Sequence, residues 1–271
     1  MPAEGNFRKV PSTLIIRCSQ ENMFISDEYK LIVMLPQKCA SKSLQLRLQS
    51  IRSPESLDTH PRYEKELGKY ISKHITIKTA LKLEAYKSRL DYHKACFVRN
   101  PYDRIYSWFQ WLEKSSKRLI EEVHSGDLVE MERVAHMTRS RDRKLKKMKE
   151  ADYEFNRYLK LNKKSFKSAC RFTHHRGRCH VDFIGHQENF DSDYQAFVSR
   201  YGLPVTNTDD GNIIGSHRCE KKPQEMTADD YQYVHWFNRD SVQTINRLFR
   251  KDFKYFSYPV LDPKSFPLSV E

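Results

Sequence analysis

Two short stretches, Leu31 to Ser43 and Ala95 to Ser107, each run from an apolar segment into a polar turn and then into a helical pattern. Few folds accommodate two such strand-turn-helix units. Neighbouring antiparallel strands are joined by tight turns, whereas parallel strands need a long crossover containing a helix. The residues between the two units carry helical segments, so the strands are expected to pair in parallel within one sheet. Ligands in such sheets sit beyond the carboxyl ends of the strands, where both polar turns fall.

The turn chemistry points the same way. Leu31-Ile-Val-Met-Leu35 leads into Lys38, Ser41, Lys42 and Ser43, a composition suited to delivering backbone N–H groups and an ammonium to a phosphate. In the second unit Arg99 ends the apolar run, and Asn100-Pro101 supplies an N-cap and a first helical residue. Asp103 then meets the positive end of the helix dipole, and Ser107 follows about two turns into the helix. The two units read as halves of one nucleotide-phosphate site.

Further along, strands are expected at 31–35, 95–98 and 181–184, and helices at 42–52, 75–90, 101 to about 122, and 227–250. Ile105, Trp108, Leu112 and Leu119 mark the buried side of the helix after Arg99. Thr227 is expected to cap the last helix, with Asp229 and Asp230 in its first turn and Val234, Phe237, Val242, Ile245, Leu248 and Phe249 spaced for burial. The fold class is therefore α/β. All 271 residues are read as one domain, with a core over about 30–258 and a basic helical insertion over about 113–165.

Composition bounds the partners. The chain is 38% hydrophobic and holds 15 Tyr, 15 Phe and 3 Trp, too apolar and aromatic for a disordered protein. A net charge of +13 calls for an anionic partner, which charge alone leaves open as a nucleotide, an acidic glycan, nucleic acid or a membrane surface. The most basic run, Arg139 to Glu150, reads as an exposed helical face or loop, with a docking surface for a polyanion as the sharper alternative. No run reaches the roughly 18 apolar residues of a transmembrane helix, and residues 1–9 lack the apolar centre of a signal peptide. There is no Asn-x-Ser/Thr acceptor site, and Cys39 and Cys96 read as small buried residues beside the site. These features give a cytoplasmic expectation, the alternative being a lumenal fragment of a Golgi enzyme without its anchor.

Lys38-Cys-Ala-Ser-Lys-Ser-Leu44 resembles the 5'-phosphosulfate loop of sulfotransferases that use 3'-phosphoadenosine 5'-phosphosulfate (PAPS), and Phe97 to Ser107 resembles their 3'-phosphate motif. Three further blocks are similar to the family of Golgi carbohydrate sulfotransferases and their soluble bacterial relatives. They are Lys73-His-Ile-Thr76, Val181 to Phe190 with its Asp-Phe-Ile-Gly and Glu-Asn, and the closing Phe249 to Tyr258. The resemblance implies a P-loop-like three-layer sandwich, a central and mainly parallel sheet flanked by helices. It also implies PAPS as cofactor, with adenosine 3',5'-bisphosphate as product, and in-line sulfuryl transfer to an acceptor hydroxyl.

By that resemblance Lys38 is the catalytic cation at the bridging oxygen, where negative charge develops. Cys39, Ala40, Ser41, Lys42 and Ser43 form the loop around it, and Arg99 with Ser107 clamps the 3'-phosphate. His74 is the expected base, since a neutral imidazole accepts a proton near neutral pH; His60, His93, Glu64 and Glu66 are alternatives. Glu188 is expected to shape the pocket or to serve a turn. The implied acceptor is a carbohydrate, with a small polar metabolite or natural product as the alternative.

Three other readings bear on these residues. A nucleotide-kinase loop needs two glycines before Lys-Ser, and this chain lacks both. Cys170 to His180 holds two Cys and three His, but not at the spacing of a common zinc ligand set, and no metal is expected. A non-enzymatic module binding nucleic acid or a heparin-like polyanion would explain the charge, yet would leave the Arg99 to Ser107 pattern as coincidence.

Overall fold

The computed structural model describes residues 21–268 apart from 55, 59–61, 72–73, 126–142, 144, 164–165 and 205–220. Its centre is a sheet of five strands: β1 (Glu21–Ser26), β2 (Leu31–Met34), β3 (Leu57–Asp58), β6 (His93–Val98) and β9 (Phe183–His186), in the order β3-β1-β2-β6-β9. Small hairpins lie outside it, β4 (Arg62–Glu64) with β5 (Lys69–Ile71), and β7 (His174–His175) with β8 (Arg178–Cys179). β2 pairs with β6 in parallel, Met34 opposite Cys96, and β6 with β9 in parallel, Val98 opposite His186. The expected parallel pairing of the first two strands is what the register contains. β1 pairs antiparallel with β2 through a tight turn, and β3 pairs antiparallel with β1 at the edge.

Strand alternation divides the core between the two faces of the sheet. Ile32, Met34, Cys96 and Val98 point to one side, against α2 (Ile77–Ala80), α3 (Glu84–Lys87), α4 (Pro101–Ser125), α5 (Phe155–Leu161), α7 (Arg239–Leu248) and α8 (Arg250–Phe256). Leu31, Val33, Ala95 and Phe97 point to the other, against α1 (Ser41–Arg47) and α6 (Phe190–Tyr201). Helices thus flank both faces of the mixed sheet, as the α/β reading expects. Ile105 and Leu112 are buried as the helical spacing requires. Gly185 sits where a Cβ would come within 2.4 Å of the Phe97 ring, so only glycine lets β9 approach β6 here.

Several element boundaries differ from the expectation. The helix expected over 75–90 is two single turns, because Leu83 takes an extended backbone and is buried to 2% exposure, which interrupts the helix. The helix expected over 42–52 ends at Arg47 and tightens into a 3-10 turn at Gln49–Ile51. The third strand lies two residues later than expected, at Phe183–His186. The helix expected over 227–250 is broken. Thr227 and Asp230 do form a capping box, but the turn they cap covers only Ala228–Asp230, and Asn238 caps a fresh helix at Arg239. Between them, Asp103 on α4 holds the backbone N–H groups of Gln232 and Tyr233, at 3.2 and 3.0 Å, out of any helix. Of the basic run, residues 145–150 are helical, while 139–142 and 144 lie outside the described residues.

Candidate active site

The loops that follow β2, β6 and β9 converge at one edge of the sheet. After β2 the chain turns through Lys38 and Ala40, whose φ angles of 64° and 55° place both in the left-handed region. Non-glycine residues enter that region at a cost of about 1–2 kcal/mol each, and here two do so within three positions. Helix α1 begins immediately afterwards, with Leu44 N–H on the Ala40 carbonyl at 3.0 Å. Ser41 and Ser43 are buried in its first turn, Lys42 is exposed, and Lys38 is half-buried. Cys39 is 1% exposed, and burial pushes its thiol up to about 12, so it is a neutral packing group.

After β6 come Arg99 and Asn100. The Asn100 side chain accepts from Asp103 N–H at 2.9 Å, capping α4 as expected. Arg99 is 8% exposed, and among the described residues no carboxylate lies within ion-pair distance of it. Its Nη2 donates to Gln232 Oε1 at 3.2 Å, its guanidinium lies 5.8 Å from the centre of the Tyr233 ring, and its Nε is buried with no hydrogen-bond partner. A buried guanidinium without a counter-charge is unfavourable, and an orphaned buried N–H adds to that; an anion at this place would answer both. Ser107 is half-buried, eight positions on from Arg99 along the chain.

After β9 comes Glu188, 4% exposed. Oε1 accepts from Asn100 N at 2.7 Å and from Asn100 Nδ2 at 3.0 Å, and Oε2 accepts from the Tyr258 hydroxyl at 2.9 Å. Burial, and then the Glu188 charge, hold the Tyr258 phenol well above its usual range, so it remains a donor. Glu188 therefore ties the loop after β9 to the loop after β6.

A residue that the sequence reading passed over ties in the third loop. Arg104, on α4, is 2% exposed and donates from Nε to the Gln37 carbonyl at 3.2 Å, one residue before Lys38. Its Nη1 meets Asp252 Oδ2 at 3.2 Å and its Nη2 bonds the Lys167 carbonyl. Asp252, fully buried, also accepts from the Ala169 and Cys170 N–H groups at 2.8 Å and from the Ser168 hydroxyl. The signal for Arg104 was present: it stands three residues before Ser107 inside a block already singled out, and it is a charge on the inward side of an amphipathic helix.

His74 reaches the same edge from below the first loop. Its Nδ1 lies 2.7 Å from the Leu35 carbonyl. A carbonyl only accepts, so Nδ1 carries a proton, and in the neutral form of the ring the lone pair is then on Nε2. His74 also lines a cleft of about 630 Å³ together with Glu66, Thr76, Lys78, Lys82, Lys167 and Arg171. Of the alternative bases, Glu66 shares this cleft, Glu64 lies on β4, and His93 opens β6 at the end of the strand away from the loops. His60 lies outside the described residues.

The Cys170 to His180 segment forms the β7–β8 hairpin, in which His174 stacks on Tyr255 at 4.1 Å and Cys170 and Cys179 are both free thiols. Among the described residues no group of three or more His, Cys, Asp and Glu is placed to hold a metal ion, and no helix is long and apolar enough to cross a membrane.

A sheet whose parallel strands deliver a cation-bearing loop and a buried arginine without a counter-charge to their carboxyl ends, with an imidazole bonded to the first of those loops, is the frame of a group-transfer enzyme acting on a phosphorylated nucleotide. The model of the sulfotransferase family matches residues 21–259, and the chain belongs to that family, whose enzymes take a sulfuryl group from PAPS. Neither a curated protein nor a solved structure gives a match to this chain.

Proposed function

We propose that the protein transfers the sulfuryl group of PAPS to a hydroxyl of a carbohydrate that itself carries negative charge. The observation that carries this reading is the place of His74, bonded to the loop through Leu35 and lining a cleft with Lys78, Lys82, Lys167 and Arg171 against, among the described residues, the single carboxylate of Glu66. PAPS supplies a sulfuryl group on a bridging oxygen that turns negative as its bond breaks. Lys38, with the backbone of Ala40 to Ser43 and the hydroxyls of Ser41 and Ser43, stabilises that charge. Arg99 and Ser107 bind the 3'-phosphate, which fits the unpaired guanidinium and its orphaned Nε. Lys42 and Cys39 contribute through the backbone of the loop.

His74 accepts the proton of the acceptor hydroxyl at Nε2, the atom that the Leu35 contact leaves unprotonated. The four cations of the cleft suit a carboxylate or sulfate on the acceptor better than a neutral metabolite. Free Cys39, Cys96, Cys170 and Cys179 suit a reducing compartment.

Two measurements test the reading. Adenosine 3',5'-bisphosphate raises the unfolding midpoint by mass action and AMP does so less, and sulfuryl transfer from PAPS is faster to an acidic saccharide than to its neutral counterpart. A midpoint unmoved by the bisphosphate, or a preference for the neutral saccharide, overturns the corresponding half.

A further inference from the structure

Residues 231–237 take no part in either phosphate motif, yet they close over Arg99. Asp103, one turn into α4, accepts the N–H groups of Gln232 and Tyr233 at 3.2 and 3.0 Å, while its Oδ2 also accepts from Asn100 Nδ2 at 3.0 Å. The backbone on either side is packed down, with Tyr231 3% exposed against Tyr102 and Phe237 3% exposed against Phe155. On this strap Gln232 places its carboxamide oxygen 3.2 Å from Arg99 Nη2, and Tyr233 sets its ring 5.8 Å from the guanidinium carbon.

Resting on the reading of Arg99 as the 3'-phosphate clamp, we infer that Gln232 is a positioning residue for that clamp and sets the selectivity for a 3'-phosphorylated nucleotide. The chemistry turns on the side chain being an amide. A guanidinium on a flexible stem is aimed either by a carboxylate or by a neutral acceptor. A carboxylate at 3.2 Å would pair with the charge and cancel most of its attraction for an incoming phosphate. A carboxamide oxygen fixes the direction of Nη2 and leaves the full positive charge in place. Nη2 has a second N–H and the Nε–H has no partner, which leaves donors on the guanidinium for the oxygens of a phosphate. Because the strap hangs from Asp103, and Asp103 is bonded to the cap residue Asn100, the aim of the arginine is set by the same helix start that presents it.

The test is the ratio of dissociation constants for AMP and adenosine 3',5'-bisphosphate, measured calorimetrically on the full chain. Gln232→Ala lowers this ratio about tenfold, the order expected for losing one hydrogen bond to a charged group, with AMP affinity unchanged. Gln232→Glu keeps the shape and the acceptor but adds the charge, and it lowers the ratio further than alanine does. A merely structural role would weaken both nucleotides together in each variant and leave the ratio at its wild-type value, and that result overturns the inference. Equal affinities for the two nucleotides in the wild-type protein overturn the clamp itself, a failure told apart because it appears before any substitution.

Discussion

Lys38 and Ala40 hold the left-handed backbone that phosphate-binding loops commonly assign to glycine, and that choice is measurable residue by residue. Ala40→Gly relieves the Cβ contact while adding backbone freedom to the unfolded chain, two effects of about 1 kcal/mol each and opposite sign. Urea unfolding is expected to find it within about 1 kcal/mol of wild type, whereas Ala40→Val, with a branched Cβ at φ 55°, is expected to lose more than that. For His74 the expected signature is kinetic. His74→Ala lowers kcat by roughly a hundredfold or more, the usual worth of a general base, while the bisphosphate dissociation constant stays within about twofold, well under the 1.4 kcal/mol that a tenfold change represents. Unchanged turnover would remove the imidazole from the chemistry. At this scale the placement of residues was most legible: Asn100 as a cap, Arg99 just past the end of a strand, and Lys38 with the loop serines in the turn after another follow from type and spacing, because capping and strand-turn-helix boundaries depend on near neighbours. Arg104 was marked by its type and its side of the helix, but its partners were not: they are a carbonyl at 37, a carbonyl at 167 and a carboxylate at 252, and no local pattern announces contacts so far apart in the chain.

Between elements, the buried pair of Arg104 and Asp252 joins α4 to α8 and, through the backbone at 37 and 167 to 170, joins the loop after β2 to the wall of the cleft. Removing one partner strands the other charge, so Asp252→Ala is expected to cost about 3–5 kcal/mol in denaturant unfolding. Arg104→Met combined with Asp252→Leu is expected to recover a good part of that stability while leaving the bisphosphate bound more weakly, because the Gln37 carbonyl loses its anchor. A second link lies in the turn between β1 and β2. Asp27 accepts from Arg89 Nε at 2.6 Å, Arg89 Nη2 at 3.1 Å and the Tyr92 hydroxyl at 2.8 Å. The Arg89 hydrogen bond, ahead of the opposing effect of burial, holds its carboxyl well below the usual range. A depressed carboxylate stabilises the fold at pH values above its unfolded value of about 3.9, and that contribution is lost as pH falls through the lower, folded value. The difference in Tm between wild type and Asp27→Asn is therefore expected to be constant from pH 7 to about 5, to narrow below about pH 4, and to close only in stronger acid; a gap that widens on acidification contradicts it. The elements themselves were legible where one period ran unbroken, as in β2, β6 and α4. They were not legible at 75–90 and 227–250, where helical spacing is real but Leu83 and Asp103 impose tertiary contacts that outweigh it.

Over the whole molecule, the +13 charge is gathered in part around the cleft, where Lys78 and Lys82 come from one stretch of chain and Lys167 and Arg171 from another. Exposed charges act over roughly 8–10 Å at physiological salt and less above it. The KM for an acidic saccharide is thus expected to rise several-fold between about 0.05 and 0.3 M salt, on the scale set by that screening length, with kcat steady. The KM for a neutral saccharide is expected to stay level, and a parallel rise in both would assign the effect to the nucleotide site. Net charge foretold an anionic partner, but only the fold could say which cations meet, because 78 and 171 share a cleft through the packing of α2 on the turn at Ala169–Phe172 and not through sequence. The same long reach has a temporal side. Arg104 and Glu188 are synthesised well before Asp252 and Tyr258, which complete their bonding. At about 5–20 residues per second a ribosome needs on the order of ten to thirty seconds to pass from one end of the Arg104–Asp252 pair to the other. Once residue 188 has been made, the nascent chain carries two charged groups awaiting burial for the rest of that interval. Ribosome-bound chains halted before residue 252 would then be protease-sensitive and indifferent to nucleotide, and protection would arrive in a single step with the last helix.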